Sequence, residues 1–346
     1  MRLYGGQHRY YCGVLMGSKF INTCIIDRDG EVQVLKKIPA RVEAFKCLVR
    51  PYRQSLAVAC EGMFSWYWLA DLCTDEKIVF VLGHGLYLRA MVGDKKQGRL
   101  DVREIASLLR EGRLAQAYVY PKEKRAVRDM LRRRNHLAKK RSELITHVEN
   151  TAIQNGLSCP LGSVVWPGGR RNLPTRFRDP AVRRMVEVDL ATIDHYTNQL
   201  DTLGFELDTM ARQHDPIGLD LIKSIPGINS ILGLVMLYEV GDIRRFPKVQ
   251  DFISYCRLVK SGRKVRGNDS SRHGNVHLNR AFVDAIALLV KGSNPILAVE
   301  QQLADKYGKG KAMGILTHRL GRTVYSMLKN QVPFDTERFL GKFSLL

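Results

Sequence analysis

Three common sequence features are missing from this chain: paired cysteines, long apolar runs and a signal peptide. The seven cysteines stand singly, without a Cys-x-x-Cys pair. Neither a disulfide framework nor a zinc knuckle is therefore indicated, and most of the thiols are expected to be small buried apolar groups. No apolar run approaches the ~20 residues that cross a bilayer. The first 17 residues also lack a charged and then apolar pattern, so we expect a cytoplasmic protein without a membrane partner.

Acidic residues are scarce relative to basic ones. Asp and Glu number 34 against 55 Lys and Arg, which gives a net charge of +21. Hydrophobic residues at 45% and charged residues at 26% are ordinary for a globular protein, so a folded chain carries this charge. Such a surplus favours a polyanionic partner, with nucleic acid as the first interpretation and an anionic membrane surface as the alternative. The length of 346 residues suggests two or three domains.

The first third of the sequence has the pattern of a mixed α/β domain. Apolar and polar residues alternate over 10–37 and break at Asp27-Arg28-Asp29-Gly30, which predicts three strands, the last two joined by a hairpin turn. Further apolar periodicity predicts, in order, a helix at 42–48, a strand at 55–60, a helix at 66–72, a strand at 78–82 and a helix at 101–112. A sheet covered by helices should result.

The remaining two thirds are predicted to be helical. Residues 122–141 hold ten Lys or Arg against two acids, and apolar residues recur every seven positions at Met130, Leu137 and Leu144. A Pro-, Gly- and Arg-rich stretch at 160–180 reads as a loop, and a second long helix follows over 181–213. The two helices could form an antiparallel arm or a dimer seam. The predicted fold is α/β plus all-α, with domains at 1–121, 122–214 and 215–346.

Several groups of basic residues are candidate contacts for nucleic-acid phosphates. For the basic residues of the long helix, the alternative is a solvated helix face. The segment Ser224-Ile-Pro-Gly-Ile228 resembles a helix-hairpin-helix turn, whose backbone N–H groups can bind a phosphate. A tight structural turn is the alternative for this segment. The candidates are Arg125, Arg128, Arg132, Arg133, Arg134, Lys139, Lys140 and Arg141 in the helix, Arg170 and Arg171 in the loop, Gly227 in the turn, and Lys260, Arg263, Lys264, Arg266 and Arg272 in a basic loop at 260–275.

Three residues are candidates for catalysis. Glu61 and Asp101 lie at the edges of predicted elements, where an α/β sheet holds catalytic or metal-binding carboxylates, although solvated acids or helix caps are the simpler interpretation. Ser261, in the basic loop, could be a nucleophile if a base or a metal activates it. An ordinary polar loop serine is the alternative.

These motifs together resemble a known family, the "one-ten" group of insertion-sequence transposases, relatives of the Piv invertases and bridge-RNA-guided recombinases. The resemblance covers almost the whole chain. It is carried by Tyr11-Cys-Gly-Val-Leu-Met-Gly-Ser-Lys19, Ala57-Val-Ala-Cys-Glu61, Arg99-Leu-Asp101, the basic segment 125–141, Ser224-Ile-Pro-Gly-Ile228, Tyr238-Glu-Val-Gly-Asp-Ile-Arg-Arg-Phe246, Ser254-Tyr-Cys-Arg-Leu-Val-Lys260 and Gly274-Asn-Val-His-Leu278.

The resemblance implies a RuvC-like, RNase H-type domain with four Mg²⁺-binding acids, a coiled-coil insertion and a helical domain with a catalytic serine. It also implies strand exchange through a serine-linked DNA intermediate, guided by a structured noncoding RNA. Glu61 and Asp101 match two of the acids, and Ser261 matches the serine, with about four residues missing before it. Leu15 and Gly98 stand where the other two acids belong.

An aliphatic side chain and a glycine cannot replace carboxylates in a site for Mg²⁺. Asp27 and Asp94 are possible substitutes, but neither occupies the family position. The leading hypothesis is an RNA-guided DNA-binding protein with cleavage impaired or lost and Mg²⁺ binding weak, acting as a regulator. The alternative is an active recombinase with an unusual ligand set. Expected partners are a structured guide RNA, double-stranded DNA and further copies of the chain, as a dimer or a tetramer on nucleic acid, near the bacterial nucleoid.

Overall fold

A computed structural model describes residues 2–62, 65–85, 87–88, 101–158, 162–258 and 274–341. The chain divides into two compact units, residues 1–122 and 123–346. The two long helices that the sequence assigns to a separate middle domain belong to the second unit. Each unit is described by itself below.

The N-terminal unit contains a five-stranded mixed sheet. Its strands are β1 Tyr10–Met16, β2 Phe20–Asp27, β3 Val32–Pro39, β4 Leu56–Glu61 and β5 Val79–Gly83. Their order is β3-β2-β1-β4-β5, with β1, β2 and β3 antiparallel and with β4 and β5 parallel to β1. All five predicted strands are present. The predicted hairpin turn is also confirmed, since the Asp27 carboxylate accepts hydrogen bonds from the backbone N–H groups of residues 29–31.

Helices cover both faces of this sheet because side chains alternate along each strand. The helices are α1 Val42–Val49, α2 Tyr67–Asp75 and α3 Val102–Arg110. Cys12 and Val14 of β1 share an apolar cluster with Phe45 of α1 and Leu69 of α2. On the opposite face Tyr11 shares a cluster with residues of α3. The predicted helices around 42–48, 66–72 and 101–112 are therefore confirmed, and α3 covers the face that carries the odd-numbered residues of β1.

Gly13 allows α3 to lie directly on β1. A Cβ atom at this position would overlap with the carbonyl oxygen of Val102 and come within 2.8 Å of the Ala106 nitrogen. We expect Gly13→Ala to destabilise the N-terminal unit by about 1–3 kcal/mol, since the backbone of α3 must move to make room. Gly5→Ala is the control, because no atom lies within 4 Å of an added Cβ there. Equal thermal melting temperatures for the two variants would contradict this prediction.

The two long helices form an antiparallel arm within one chain. They are α4 Lys122–Gln154 and, after the short helix α5 Pro167–Arg170, α6 Pro180–His214. Three bonds between the helices fix the direction: His147 to Asp189 at 2.7 Å, Arg141 to Thr197 at 3.3 Å, and Arg134 to the carbonyl of Leu200 at 3.3 Å. Residue numbers rise along one helix as they fall along the other. Apolar residues of the two helices, among them Val148 of α4 and Val186 of α6, share one apolar cluster near the end of the arm.

The segment between the long helices is more ordered than the predicted loop at 160–180. It contains α5 and two short 3₁₀ turns, and a small apolar cluster holds it against the helices. Val164, Leu173 and Phe177 of the segment pack with Val148 of α4 and Val186 of α6. The arm consequently ends in a folded cap, because this Pro- and Gly-rich stretch carries three well-spaced apolar anchors.

The rest of the second unit is helical, as the sequence predicts. Its helices are α7 Pro216–Lys223, α8 Ser230–Val240, α9 Val249–Tyr255, α10 Val276–Gly292, α11 Asn294–Tyr307, α12 Lys309–Asn330 and α13 Thr336–Leu340. They surround one apolar core, which α8, α10 and α12 dominate. Within the described residues no single helix passes the length and hydropathy test for a membrane span; α10 and α11 pass it only jointly, across a bend of 112°.

Five of the six cysteines in the described residues are buried like small apolar groups, as expected for most of the thiols, and Cys159 lies outside the described residues. Cys12, Cys24, Cys60, Cys73 and Cys256 are buried and unpaired, and Cys47 is exposed. Burial raises the pKa of the Cys73 thiol to about 12, so this thiol is protonated at neutral pH. These buried cysteines have the environment of structural rather than nucleophilic groups.

Candidate functional site

The carboxyl edge of the sheet brings two of the sequence-predicted positions together. Val14 of β1 pairs with Cys60 of the parallel strand β4, so Leu15 and Glu61 are the next residues along adjacent strands. Both belong to the face that α3 covers. Leu15 is half-buried and packs against the apolar cluster beneath α3. An aliphatic side chain thus stands beside Glu61 at the edge where the family resemblance requires a second carboxylate.

The two predicted carboxylates, Glu61 and Asp101, have different surroundings. Glu61 is buried, and a Cβ atom added to Gly85 would lie 2.9 Å from its Oε1, so the carboxylate lies directly against that glycine. Asp101 is exposed and caps α3: its Oδ1 accepts a hydrogen bond of 3.2 Å from the Arg103 N–H, and the Glu104 carboxylate accepts one from the Asp101 N–H. Asp101 therefore caps a helix, which is the simpler of the two interpretations given for it in the sequence analysis.

The described donors do not fit a pair of Mg²⁺ ions. Mg²⁺ requires oxygen ligands in near-octahedral geometry, and Leu15 offers none while Asp101 already caps a helix. In the parts of the chain that the structure covers, no group of three His, Cys, Asp or Glu side chains is arranged to hold a metal. Gly98 and the proposed substitute Asp94 lie outside the described residues.

Asp27, the other proposed substitute, lies at the wrong end of the sheet. It pairs with Tyr10 at the amino end of β1, whereas Glu61 lies at the carboxyl end of the parallel strand β4. Its carboxylate is also occupied by the turn after β2 and by the Gln33 side chain at 2.7 Å. Asp27 is therefore a turn residue and does not substitute for the acid that is missing at position 15.

A second polar site lies in the core of the helical unit, around Glu239. Both carboxylate oxygens of this buried residue accept hydrogen bonds: from Arg132 at 2.6 and 2.9 Å, from Arg128 at 3.1 Å and from the Asn275 amide at 2.7 Å. The two arginines come from α4 and Asn275 immediately precedes α10. Glu239 thus joins the arm to the residues that follow the basic loop.

The charges of this cluster shift two ionisation equilibria. Burial alone would raise the pKa of Glu239, but the hydrogen bonds and charges of Arg132 and Arg128, with the Asn275 amide, together hold that pKa below its ordinary value. Burial lowers the pKa of the neighbouring His277, and the Arg132 charge lowers it further. At neutral pH, Glu239 is therefore ionised and His277 is a neutral imidazole.

The same cluster ties together the two ends of the basic loop that contains Ser261. Asn275 caps α10 by accepting hydrogen bonds from the N–H groups of His277 and Leu278, and its own N–H donates to the Tyr255 carbonyl. Gly274 has a φ of +102°, and an added Cβ would come within 2.6 Å of that carbonyl. Asn279 donates to the Arg257 carbonyl at 3.0 Å. Residues 259–273, with Ser261 and the five predicted basic contacts of the loop, lie outside the described part of the chain.

The predicted phosphate-binding residues of the arm fall into two groups. Arg133, Lys139, Lys140 and Arg171 are exposed, and phosphate contact remains a prediction for them. Arg125 and Arg170, which the sequence also predicts to bind nucleic acid, are buried, and Arg170 pairs with Asp194. Four further arginines of α4 also contact groups of the second unit: Arg128 and Arg132 bind Glu239, Arg134 binds the Leu200 carbonyl and Arg141 binds Thr197.

The predicted helix-hairpin-helix turn joins α7 to α8. Gly227 has a φ of +82° and is exposed, and an added Cβ would lie 3.0 Å from the carbonyl of Leu288 in α10. The Ser224 hydroxyl accepts a hydrogen bond from the Phe334 N–H at 2.8 Å. Tertiary packing therefore accounts for both residues, as the structural alternative expects, and phosphate binding at Gly227 remains a prediction.

Sequence reasoning missed the roles of Glu239, Asn275 and His277. One signal was available: α8 is apolar over nearly its whole length, and Glu239 is its only charged residue. A single carboxylate in such a helix requires a buried partner. The arginines 107 and 111 positions earlier in the chain could not be identified from spacing alone.

Comparison with known proteins finds similarity to insertion-sequence transposases. Residues 219–298 match the family described as "Transposase IS116/IS110/IS902 family". This range runs from α7 into α11 and includes Glu239, Asn275 and the basic loop. The chain is also 25% identical over 308 residues to a protein of Coxiella burnetii (strain RSA 493 / Nine Mile phase I) called "Transposase for insertion sequence element IS1111A", covering 85% of this chain and 79% of that protein. Both matches are to insertion-sequence transposases, and the stretch of the helical unit from α7 into α11 is similar to the IS116/IS110/IS902 transposase family.

Proposed function

We propose that this protein is a transposase-derived, RNA-guided DNA-binding protein in which DNA cleavage is impaired or lost. The observation that carries this proposal is Leu15 beside Glu61 at the carboxyl edge of β1 and β4. The five-stranded mixed sheet is compatible with the RNase H-type domain that the family resemblance implies. A domain of this kind that lacks part of its carboxylate set retains a nucleic-acid surface and loses tight binding of the catalytic metal.

Net charge and its placement support the nucleic-acid part of the proposal. The chain carries a charge of +21, and exposed cations lie on the arm at Arg133, Lys139 and Lys140. The contacts of the two lysines with Glu143 compete weakly with phosphates, because surface ion pairs contribute little. A structured noncoding RNA and double-stranded DNA are the proposed partners, with two or four copies of the chain on the nucleic acid.

Salt dependence tests this arm surface. Replacing Arg133, Lys139 and Lys140 together by alanine should lower the slope of log affinity against log salt by about 3, roughly one for each lost phosphate contact. The control removes the same charge from α11 and α12 with alanine at Lys306, Lys309 and Lys311, which are also exposed. Binding of both variants to duplex DNA is measured by fluorescence anisotropy across salt concentrations. Equal slopes for the two triple variants would refute a specific role for the arm.

The cleavage part of the proposal has its own test. The protein is incubated with the structured transcript of its flanking sequence, target DNA and either Mg²⁺ or Mn²⁺. We expect the DNA to stay intact and to migrate more slowly in a gel, because the protein binds it without cutting it. Nicked DNA, or DNA linked covalently to serine, would instead support the alternative of an active recombinase. Ser261→Ala separates these outcomes, because it should abolish the covalent species and leave binding unchanged.

A further inference from the structure

The folded cap at the end of the arm carries Trp166, the tryptophan whose side chain is largely exposed. Trp166 is 70% exposed, whereas Trp66 is buried and Trp68 is half-buried in the N-terminal unit. Exposing a large indole ring on a segment with its own apolar core is unfavourable unless the ring has another partner. Val164, two residues earlier, is fully buried in that core, so the backbone around Trp166 is anchored.

The surroundings of Trp166 are strongly basic. From Gly156 to Arg178 the sequence contains four arginines and no acidic residue. Arg171, Arg176 and Arg178 are exposed, and Arg170 is buried against Asp194. The chain therefore presents an aromatic ring with cations on the same short segment, which is the combination that single-stranded nucleic acids require.

A cleft of about 390 Å³ begins at Pro167, the residue after Trp166. Two carboxylates line it, but each has an arginine partner: Asp194 pairs with Arg170, and Glu187 pairs with Arg184 at 3.1 Å. Arg171 lines the same cleft. A phosphate backbone bound next to the indole would therefore be attracted by Arg171, and the two carboxylates would repel it little because each is paired with an arginine.

We infer that the cap of the arm binds an unpaired nucleotide, whose base stacks on Trp166 and whose neighbouring phosphates contact Arg171 and the exposed arginines. This inference rests on the proposed nucleic-acid function and adds the kind of segment that is bound. Bases in a duplex are already stacked on one another, so an exposed indole favours an unpaired base. A second copy of this cap is a poor occupant, because it would bring the same uncompensated arginines together.

Intrinsic fluorescence tests the site directly in the full-length protein. Titration with a 12-nucleotide oligouridylate should quench tryptophan emission, and Trp166→Phe should abolish most of that quenching while Trp66 and Trp68 continue to emit. Trp166→Ala should weaken binding by roughly 5- to 100-fold, the usual effect of losing one stacked base. Trp166→Phe should recover most of the affinity. Because the ring is exposed, both variants should fold.

The matched control is Phe205→Ala. Phe205 is 77% exposed on α6, but Asp201, Glu206 and Asp208 surround it in sequence. Its loss should leave oligonucleotide binding unchanged. A parallel titration with oligothymidylate identifies the strand: quenching by RNA alone assigns the site to the guide RNA, and equal quenching by both assigns it to any single strand.

Three outcomes would overturn the inference. The first is quenching that persists in Trp166→Phe, and the second is equal quenching by a blunt duplex. The third is an emission shift that depends on protein concentration in the absence of nucleic acid, because this would indicate a second copy of the chain at this surface. If Trp166→Ala binds normally while the triple arm variant shows the expected lower salt slope, the cap is not a nucleotide site but the proposed function stands. Absence of binding by every form of the protein would instead reject the proposed function itself.

Discussion

Replacing Glu239 by glutamine is expected to destabilise the helical unit by about 3 kcal/mol. The substitution leaves two arginine side chains of α4 without the buried carboxylate that compensates them, and breaking one partner of a buried ion pair is far more costly than its net contribution suggests. Thermal and urea denaturation of the full chain measure the change. Glu143→Gln is the control, because that carboxylate is exposed and pairs with the exposed lysines Lys139 and Lys140; we expect this variant to unfold like the wild type.

The same cluster predicts how stability depends on pH. The pKa of Glu239 lies below its ordinary value in the folded protein, so on acidification the unfolded state takes up the proton first. The contribution of this group is therefore present at neutral pH and decreases as the pH falls below the ordinary glutamate value of about 4.3. Glu239→Gln should lose part of this acid sensitivity. A variant whose acid unfolding curve has the wild-type shape would contradict the assignment of the buried ion pair.

Glu239→Gln should also separate the two kinds of contact that Glu239 makes, because this residue accepts a hydrogen bond from Asn275, which caps α10 where the serine-bearing loop ends, as well as from the arginines of α4. In Glu239→Gln the amide can still accept from Asn275, so loop attachment should be partly kept while the arm loses its charge partner. Hydrogen exchange of the N–H groups of residues 275–279 would show this. Faster exchange confined to α4 with protected residues 275–279 is expected, and the reverse pattern would contradict the proposed connection.

Introducing aspartate at positions 15 and 98 together should raise the response of the protein to divalent metal above that of the wild type. Leu15 lies beside Glu61 at the strand edge, so the Leu15→Asp substitution adds an oxygen donor next to an existing one. The sequence resemblance assigns position 98 to another ligand. Even outer-shell changes alter metal affinity by about 10- to 100-fold, so two added carboxylates should exceed that range. Isothermal titration with Mn²⁺ and metal-dependent DNA nicking measure the gain.

Leu35→Asp combined with Gly98→Asp is the matched control for this experiment. Leu35 is an exposed apolar residue on β3, two strands away from β1, so the control adds equal charge without adding a ligand beside Glu61. The variant that carries Leu15→Asp should bind Mn²⁺ more tightly than this control. Tight Mn²⁺ binding and nicking by the unaltered protein would show that the remaining donors suffice and would reject the loss of cleavage.

Sequence patterns predicted most elements of the fold because local periodicity was strong. Alternating residues over β1, β2 and β3 and the turn at Asp27 specify antiparallel strands without reference to the rest of the chain. The amphipathic spacing of α3 likewise determined that one face of this helix must be buried. The cap of the arm was described poorly, since its Pro and Gly residues masked three apolar anchors that only packing between α4 and α6 brings together.

Functional positions were predictable only where a motif marked them. The apolar residue at position 15 and the acid at position 61 could be compared with the family pattern, and the parallel pairing of β1 with β4 makes them neighbours. The basic residues of α4 could not be sorted in this way. Charge along a helix indicates a solvated or phosphate-facing surface, but Arg128 and Arg132 instead bind a carboxylate more than 100 residues later.

The sequence by itself determined the α/β and helical halves, the excess of positive charge and the aliphatic residue where a metal ligand is expected, because each depends on residue type or short-range spacing. Tertiary structure alone decided that the two long helices pair within one chain, that Asp27 lies at the opposite sheet end from Glu61, and that a buried Glu239 holds the arm and Asn275. These outcomes depend on contacts between residues that are distant in the chain, and no local pattern encodes which distant partner a charged side chain meets.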